Sequence, residues 1–350
     1  MSILQEKITR DKILLEDLEY LSEHFDFSEF FHSTILITGT TGLIGSQFVR
    51  LFSYLNIVKN ADITILALIR NDIKAQNIFG ALYKDIIFIN TDIRDTVNTN
   101  KQVDYIIHCA SETASKIFVE KPVETIDTAY IGTKNMLELA KLKNIKGFVY
   151  LSSMEVFGLT DSKKICEEDY GYIDILNVRS SYSESKRLCE CLCACYAKEY
   201  NIPVKIARLA QVLGPCMDYN DTRVTAQFAR CVIENQDIIL KTDGKTIRPI
   251  VYSRDAVSGI SIVLLKGKHG KAYTIANIET TASIYETANI ICEKIANNNI
   301  NIVFDIKKTE EYAPNFNLNL STGLIESLGW KAEIGLEEAY RRMIDSMRNT

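Results

Sequence analysis

The 350-residue chain contains few residues that interrupt regular structure. It has 5 prolines and 16 glycines, which excludes collagen-like repeats and long disordered tracts. No apolar run approaches the ~18 residues of a membrane span, and the N-terminus lacks the apolar core and cleavage site of a secretory signal. Nine cysteines without such a signal predict reduced thiols and a cytoplasmic location.

Neither sign of charge dominates the sequence. Lys and Arg number 40 against 45 Asp and Glu, which leaves a net charge of −5. The sequence lacks the basic stripe of a general nucleic-acid-binding protein, so we expect neither a nucleic-acid nor a membrane partner. An anionic small molecule is not excluded, because a few local arginines suffice to bind one. The length predicts about two domains.

Short apolar segments alternate with segments of helical spacing. The apolar segments are residues 33–39, 63–69, 86–90, 103–109, 147–153 and 203–208. They are continuously apolar, as expected of strands that are buried on both faces. Their alternation with helices, such as 123–142 and 183–200, predicts an α/β fold with a doubly wound parallel sheet, the Rossmann architecture.

This pattern divides the chain into three parts. Residues 1–33 have helical spacing and predict an N-terminal helical extension. Residues 34–207 carry the alternating pattern and predict the dinucleotide-binding domain. Residues 208–350 are irregular and predict a smaller, mixed substrate-binding region, with segments that return to the first domain.

Residues 38–45 (TGTTGLIG) join the first predicted strand to the first helix. Gly39 would permit the tight turn, Gly42 the approach of a pyrophosphate, and Gly45 the close packing of helix on strand. The N–H groups at a helix start favour the negative charge of phosphates. The segment therefore predicts a dinucleotide site.

Two strand ends bear on which dinucleotide binds. The second strand ends at Arg70, near the position where an acid would bind the adenosine ribose. An arginine can accommodate a 2′-phosphate, so NADP is an alternative to NAD. Asp92 ends the third strand and could accept a hydrogen bond from the adenine amino group.

Tyr182 and Lys186 are four residues apart on a predicted helix and share one face. An ammonium group beside a phenol lowers the phenol pKa, so Tyr182 could act as a general base near neutral pH. Ser153, at the end of the fifth strand, could hydrogen-bond the same substrate hydroxyl.

The motifs TGTTGLIG, TDIRD, HCAS, SSMEVFG and YSESK, with Gly214-Pro215 and Leu328-Gly329-Trp330, resemble those of the extended short-chain dehydrogenase/reductases. Within them, the chain is similar to the NAD-dependent epimerase/dehydratase family acting on nucleotide sugars. The resemblance implies that Tyr182 takes a proton from the sugar 4-hydroxyl while a hydride passes to NAD. It also implies a homodimer. The positions that it assigns to the cofactor are Gly39, Thr41, Gly42, Leu43, Ile44, Gly45, Arg70, Asp92, Ile93, Ala110, Ser111, Tyr182 and Lys186.

The reaction that follows the 4-keto sugar depends on residues 153–155, Ser-Met-Glu. Glu155 matches a residue of the dehydratase and decarboxylase branches, and with Ser153, Tyr182 and Lys186 it completes the implied catalytic set. The dehydratase pattern Thr-Asp-Glu and the decarboxylase pattern Thr-Ser-Glu both differ at Met154, which cannot donate a proton to departing water. Because of Glu155 and the similar segment 220–224, a UDP-glucuronate decarboxylase is favoured, followed by a nucleotide-sugar 4-epimerase and then a 4,6-dehydratase.

The resemblance to UDP-glucuronate decarboxylases extends to the region after residue 214. It implies that Arg223 and Arg248 bind the diphosphate, since guanidinium groups suit phosphate oxygens. The full set of implied substrate contacts is Ser153, Gln211, Arg223, Arg248 and Tyr252. The family often has Asn where Ala129 and Gln211 stand, so the sugar could differ from the usual one.

The sequence does not favour either of two alternatives, a metal site or a protein that is not an enzyme. Cys189, Cys191, Cys193 and Cys195 alternate along one helix and do not converge as zinc ligands would, so no metal is expected. A non-catalytic dinucleotide-sensing protein is the alternative outside the enzymes. The intact Ser153, Tyr182 and Lys186 argue against it.

Overall fold

The computed structural model describes residues 3–306 and 317–349. Twelve strands are defined there: β1 (Thr34–Thr38), β2 (Thr64–Ile69), β3 (Ile87–Asn90), β4 (Tyr105–His108), β5 (Gly147–Ser153), β6 (Val204–Leu209), β7 (Gln211–Leu213), β8 (Ile238–Leu240), β9 (Ile247–Tyr252), β10 (Ala272–Ile275), β11 (Asn277–Ser283) and β12 (Ile302–Phe304).

The same residues form twelve α-helices: α1 (Ile3–Lys7), α2 (Lys12–His24), α3 (Leu43–Val58), α4 (Asp72–Phe79), α5 (Ser115–Glu120), α6 (Pro122–Lys143), α7 (Ser181–Tyr200), α8 (Val224–Glu234), α9 (Ser253–Lys266), α10 (Ile284–Ile290), α11 (Gly323–Glu326) and α12 (Leu336–Arg348). Short 3₁₀ turns cover Ser28–Phe30, Gly80–Asp85, Met154–Phe157 and Val178–Ser180, and a π-turn covers Ile291–Ile295. No helix in the described ranges is long and apolar enough to cross a membrane.

Seven parallel strands form the main sheet, in the order β10-β6-β5-β4-β1-β2-β3. All six predicted strands lie in it, so the predicted α/β doubly wound fold is confirmed. The strand order reverses at β1, which pairs with β2 on one side and β4 on the other. Ligands of such sheets bind at the carboxyl ends of the strands at this switch point.

The continuous apolar runs are explained by the two cores that the sheet separates. On β1, Ile35 and Ile37 face a core shared with α2, α3 and α9, whereas Leu36 faces a core shared with α6 and α7. All three side chains are fully buried. Because both faces are covered, no position of these strands can be polar without a buried partner.

The C-terminal part of the chain is divided between two places. The helix α9 and the strand β10 lie beyond residue 207 and belong to the main sheet and its core. Two small sheets, β11-β9-β7 and β12-β8, build the rest. β10 was not anticipated from the sequence, because its four residues follow a turn-rich segment without a long apolar run. The division of the chain at residues 33 and 207 stays a prediction.

Residues 3–33 are joined to the C-terminal helix by buried polar contacts. Asp11 caps α2 and also accepts a hydrogen bond from Ser346 at 2.5 Å. Asp17, on the buried face of α2, accepts from Arg342 of α12 at 2.9 Å. Because both acids are buried, these contacts compensate the loss of their hydration.

Candidate active site

The glycine turn between β1 and α3 leaves space that a side chain would fill. Gly39 has φ +63°, and a Cβ there would lie 2.9 Å from the backbone of Ala110. A Cβ on Gly45 would lie 2.3 Å from the carbonyl oxygen of Gly39. Gly42 caps α3 without a side chain, so the first N–H groups of the helix face a ligand, as a pyrophosphate requires.

A cavity of about 440 Å³ opens at this turn, where the carboxyl ends of β1 and β4 meet. The predicted cofactor residues that line it are Gly39, Thr41, Gly42, Leu43, Ile44, Gly45, Arg70, Ile93, Ala110, Ser111, Tyr182 and Lys186. It is also lined by the predicted catalytic or substrate residues Ser153, Glu155, Gln211 and Arg223. The turn, the open helix start and the cavity together fit a dinucleotide.

At the predicted adenosine end, Arg70 is mostly exposed and its nearest anion is Glu112, at 3.5 Å. Asp92 does not line the cavity. Its carboxylate instead accepts two hydrogen bonds from the guanidinium of Arg94, both of 3.0 Å. These bonds lower the pKa of Asp92 to about 2. The structure therefore places Asp92 in a local ion pair rather than toward an adenine.

At the other end of the cavity, Tyr182 lies beside Ser153. Tyr182 is in the first turn of α7, and its ring stacks on Phe118 with centroids 4.3 Å apart and an angle of 7°. Ser153 ends β5, and its hydroxyl is near enough to that of Tyr182 to lower the Tyr182 pKa. The stacking on Phe118 holds the phenol at the cavity wall.

Lys186 follows Tyr182 by one helical turn and is fully buried. Its ammonium donates to the Leu151 carbonyl at 2.7 Å and lies 5.7 Å from the centre of the Tyr182 ring. Burial lowers the pKa of Lys186 to about 8. The four-residue spacing thus brings the pair together, with the ammonium bound to the end of β5.

The expected lowering of the Tyr182 pKa is not found. Burial raises this pKa well above 10, and the Glu155 carboxylate raises it further. Ser153, Arg223 and Arg179 act in the opposite direction. In the protein without ligand, desolvation of the phenolate outweighs the favourable charges, so Tyr182 is neutral near pH 7.

Glu155 lies in the 3₁₀ turn after β5, and two side chains hold its carboxylate. Arg179 donates to both oxygens, at 3.2 and 3.4 Å, and the Ser183 hydroxyl donates at 3.2 Å. Its backbone N–H donates to the Ser153 hydroxyl. Arg179 was missed from the sequence. Its one signal is its place three residues before Tyr182, in the segment RSSYSESK.

The predicted substrate residues divide into two groups. Gln211 and Arg223 line the cavity, and Arg223 is bound by Asp221, at 2.6 Å. Arg248 is half-buried and lies outside the cavity lining, near enough to Glu155 and Arg179 for their charges to shift its pKa. Tyr252 is fully buried, and its hydroxyl donates to Asp17 at 2.7 Å. The structure places that hydroxyl against the N-terminal helix α2, away from the cavity.

The remaining titratable groups near the site are structural. His108 is buried between the hydroxyls of Thr38 and Thr133, at 2.7 and 3.1 Å, and burial lowers its pKa to about 3. Along α7, Cys189 and Cys193 are buried whereas Cys191 and Cys195 are exposed. The described residues contain no cluster of three or more His, Cys, Asp or Glu side chains placed to hold a metal ion.

Comparisons with known proteins identify the family of the chain. The family model "NAD dependent epimerase/dehydratase family" matches residues 35–278. UDP-glucuronic acid decarboxylase 2 of Arabidopsis thaliana is 31% identical over 247 residues, which are 71% of this chain and 54% of that protein. This chain thus spans about half of that relative's length. The dTDP-D-glucose 4,6-dehydratase of Dictyostelium discoideum is 26% identical, over 90% of this chain and 81% of that protein.

The fold is shared with a solved UDP-glucose 4-epimerase of Thermotoga maritima, whose structure contains UDP-glucose. The TM-score is 0.78 at 21% identity, over 90% of this chain and 98% of the epimerase. The family match covers well over half of the chain, and it confirms both the expected family and NAD as the expected cofactor. The chain therefore belongs to the NAD-dependent epimerase/dehydratase family.

Proposed function

We propose that the protein oxidises C4 of a nucleotide-activated sugar and decarboxylates the resulting 4-keto sugar, as a UDP-glucuronate decarboxylase does. One observation carries the choice of reaction. The Glu155 carboxylate stands at the cavity wall beside Tyr182, while the residue between Ser153 and Glu155 is Met154, which is buried and cannot donate a proton.

The oxidation step uses the groups at the end of β5 and the start of α7. In its ionised form, Tyr182 accepts the proton of the 4-hydroxyl. Ser153, whose hydroxyl favours this ionised form, is placed to hold the same sugar hydroxyl. Bound NAD supplies the acceptor for the hydride that leaves C4. Lys186, whose pKa is lowered to about 8, remains mostly protonated near pH 7 and places a positive charge beneath the Tyr182 ring.

The chemistry of the 4-keto sugar distinguishes the three reactions. With a carboxylate on C5, the intermediate is a β-keto acid, whose C5–carboxylate bond breaks to give carbon dioxide and an enolate without an acid at the leaving group. The enolate then takes up a proton at C5, the step that we assign to Glu155 at the cavity wall. Return of the hydride to C4 and of a proton to its oxygen gives the pentose and restores NAD. Loss of water from C6 requires such an acid, and Met154 cannot act as one. Simple epimerisation needs only return of the hydride to the other face, and it gives Glu155 no role.

Incubation with NAD and UDP-glucuronate tests the proposal. We expect release of one carbon dioxide per sugar and a UDP-pentose, measured by trapped radiolabel and mass spectrometry. Tyr182→Phe is the inactive control. Formation of UDP-galacturonate, or of UDP-galactose from UDP-glucose, without carbon loss would support the epimerase. Loss of water from a nucleotide hexose would support the dehydratase. Failure to turn over any nucleotide sugar would favour a non-catalytic dinucleotide-sensing protein.

We further propose that the protein is a cytoplasmic homodimer. The helices α6 and α7 pack on each other and leave apolar side chains exposed, including Val123, Leu142 and Leu188. A second copy of the same face would bury them. Light scattering after size-exclusion chromatography should give twice the monomer mass of 39.6 kDa, and Leu188→Glu should shift the mass to that of the monomer.

A further inference from the structure

Arg179 contacts the candidate active site, and the proposed reaction steps give it no role. It lies in the turn Val178–Ser180, and its side chain is only 13% exposed. Two of its nitrogens bind the two oxygens of Glu155. A paired contact of this kind fixes the orientation of a carboxylate more strongly than a single bond does.

The third nitrogen of this guanidinium has no partner. The Arg179 Nε is buried, and it finds no hydrogen-bond acceptor in the part of the chain that the structure describes. Buried N–H groups are nearly always paired in native proteins. Arg179 also lines a second cavity, of about 320 Å³, that shares Glu155 and Met154 with the dinucleotide cavity. The donor without a partner therefore points to an acceptor on a ligand.

The charges around Glu155 do not balance. Arg248 is near enough to this carboxylate for Glu155 to raise its pKa, whereas burial and the like charge of Arg179 lower it. Two guanidinium groups thus lie within electrostatic range of one carboxylate, and Arg179 is the one hydrogen-bonded to it. Among the described residues, this leaves the charge of Arg248 without an ion-pair partner. Arg223 does not alter this balance, because Asp221 neutralises it. A second carboxylate would complete the site, as half-buried charges require.

We propose that Arg179 is a specificity-determining residue that recognises a carboxylate on the sugar. It makes the site select nucleotide uronic acids over neutral nucleotide sugars. The inference rests on the proposed function for the nucleotide-sugar class of substrate. It does not depend on whether the sugar carboxylate is then lost or retained.

Binding calorimetry on the full chain, with and without NAD, tests this role. UDP-glucuronate and UDP-glucose are titrated into the wild type, Arg179→Met, Arg179→Lys and the control Arg341→Met, which removes a surface guanidinium paired with Glu337. We expect the wild type to prefer UDP-glucuronate. Arg179→Met should lower the affinity for UDP-glucuronate by about 10- to 100-fold, as loss of a charge-assisted contact does. Its effect on the affinity for UDP-glucose should be much smaller.

The lysine variant keeps the charge and should restore part of the preference. The control should behave like the wild type, and retained NAD affinity shows that each variant is folded. Equal weakening of both ligands by Arg179→Met, or a wild type without preference, would overturn the inference. Preference that depends on Arg179, in a protein that releases no carbon dioxide, would refute the decarboxylation and leave the inference standing. If Arg179→Met releases carbon dioxide with an unchanged KM for UDP-glucuronate, the inference is refuted and the proposed decarboxylation stands.

Discussion

Replacing Tyr252 by Phe distinguishes the substrate role implied by the resemblance from the structural role that the geometry indicates. The Tyr252 hydroxyl donates to Asp17 at 2.7 Å and lies 3.1 Å from the Arg342 Nε. Phe fills the same space, so the variant creates no cavity. It removes two hydrogen bonds, the one donated to Asp17 and the one accepted from Arg342. Arg342 still binds Asp17, at 2.9 Å. We expect a loss of stability and an unchanged KM for the nucleotide sugar.

The magnitude depends on the charge of Asp17. Burial raises the pKa of Asp17 from 3.8 to about 6, and the Tyr252 hydroxyl opposes the rise. A hydrogen bond to a charged group contributes about 1.5–3 kcal/mol, and a neutral one about 1 kcal/mol. The bond from Arg342 is charge-assisted at every pH. The variant should therefore lose about 1 kcal/mol more at pH 8, where Asp17 is ionised, than at pH 5, where it is largely protonated.

The wild type should show the matching pH dependence. Because the folded pKa of Asp17 lies above its unfolded value of 3.8, its contribution to stability is complete below pH 4 and is lost as the pH rises through 6. The difference between the folded and unfolded pKa of Asp17 corresponds to about 3 kcal/mol in the free energy of unfolding. The variant should lose more over this range than the wild type, since without the Tyr252 hydroxyl the pKa of Asp17 rises further.

Urea unfolding followed by circular dichroism, from pH 5 to pH 8, measures these differences. Tyr273→Phe is the matched control, because that buried hydroxyl accepts a hydrogen bond from the backbone N–H of Lys268 and its loss should cost the same at every pH. Unchanged stability of Tyr252→Phe together with a tenfold higher KM would refute the reasoning. That result would show that the Tyr252 hydroxyl contributes to substrate binding.

Three further variants test other parts of the site. Tyr182→Phe should abolish turnover and leave NAD affinity within about twofold, measured by calorimetry; an unchanged rate would reject Tyr182 as the base. Gly45→Ala should weaken NAD binding by about tenfold or more, because its Cβ would lie 2.3 Å from the Gly39 carbonyl oxygen; fluorescence titration checks this, and unaltered affinity would contradict the role of the turn. Arg70→Ala removes the guanidinium that faces Glu112 at 3.5 Å and should weaken any binding of NADP more than that of NAD; equal effects would show that no 2′-phosphate is recognised there.

Structural features that depend only on residues close together in the chain could be predicted from the sequence. The glycine turn is one continuous segment, and the spacing of Tyr182 and Lys186 places them one helical turn apart. The apolar runs identified six of the seven strands of the main sheet, because burial on both faces leaves a continuous signal. The seventh, Ala272–Ile275, follows the turn-rich segment 266–271 and is not part of a long apolar run.

Contacts between distant segments could not be predicted in the same way. Arg179 and Glu155 are 24 residues apart, and Tyr252 and Asp17 are 235 apart. The substrate role of Tyr252 came from the resemblance, and the sequence does not show that helix α2 brings Asp17 to this position. In the fold, the buried Asp17 carboxylate is the acceptor for the Tyr252 hydroxyl.

The pKa of Tyr182 shows why spacing alone does not give the chemistry of a site. Four residues on a helix place the lysine and the tyrosine on one face, but the Lys186 ammonium is bound to the Leu151 carbonyl rather than to the phenol oxygen. The phenol is stacked on Phe118 and almost excluded from water. Desolvation then sets the direction of the pKa shift, and the nearby guanidinium groups only reduce it. Because Glu155 raises this pKa and Arg179 lowers it, any ligand charge that alters their pairing must also alter the readiness of Tyr182 to accept a proton.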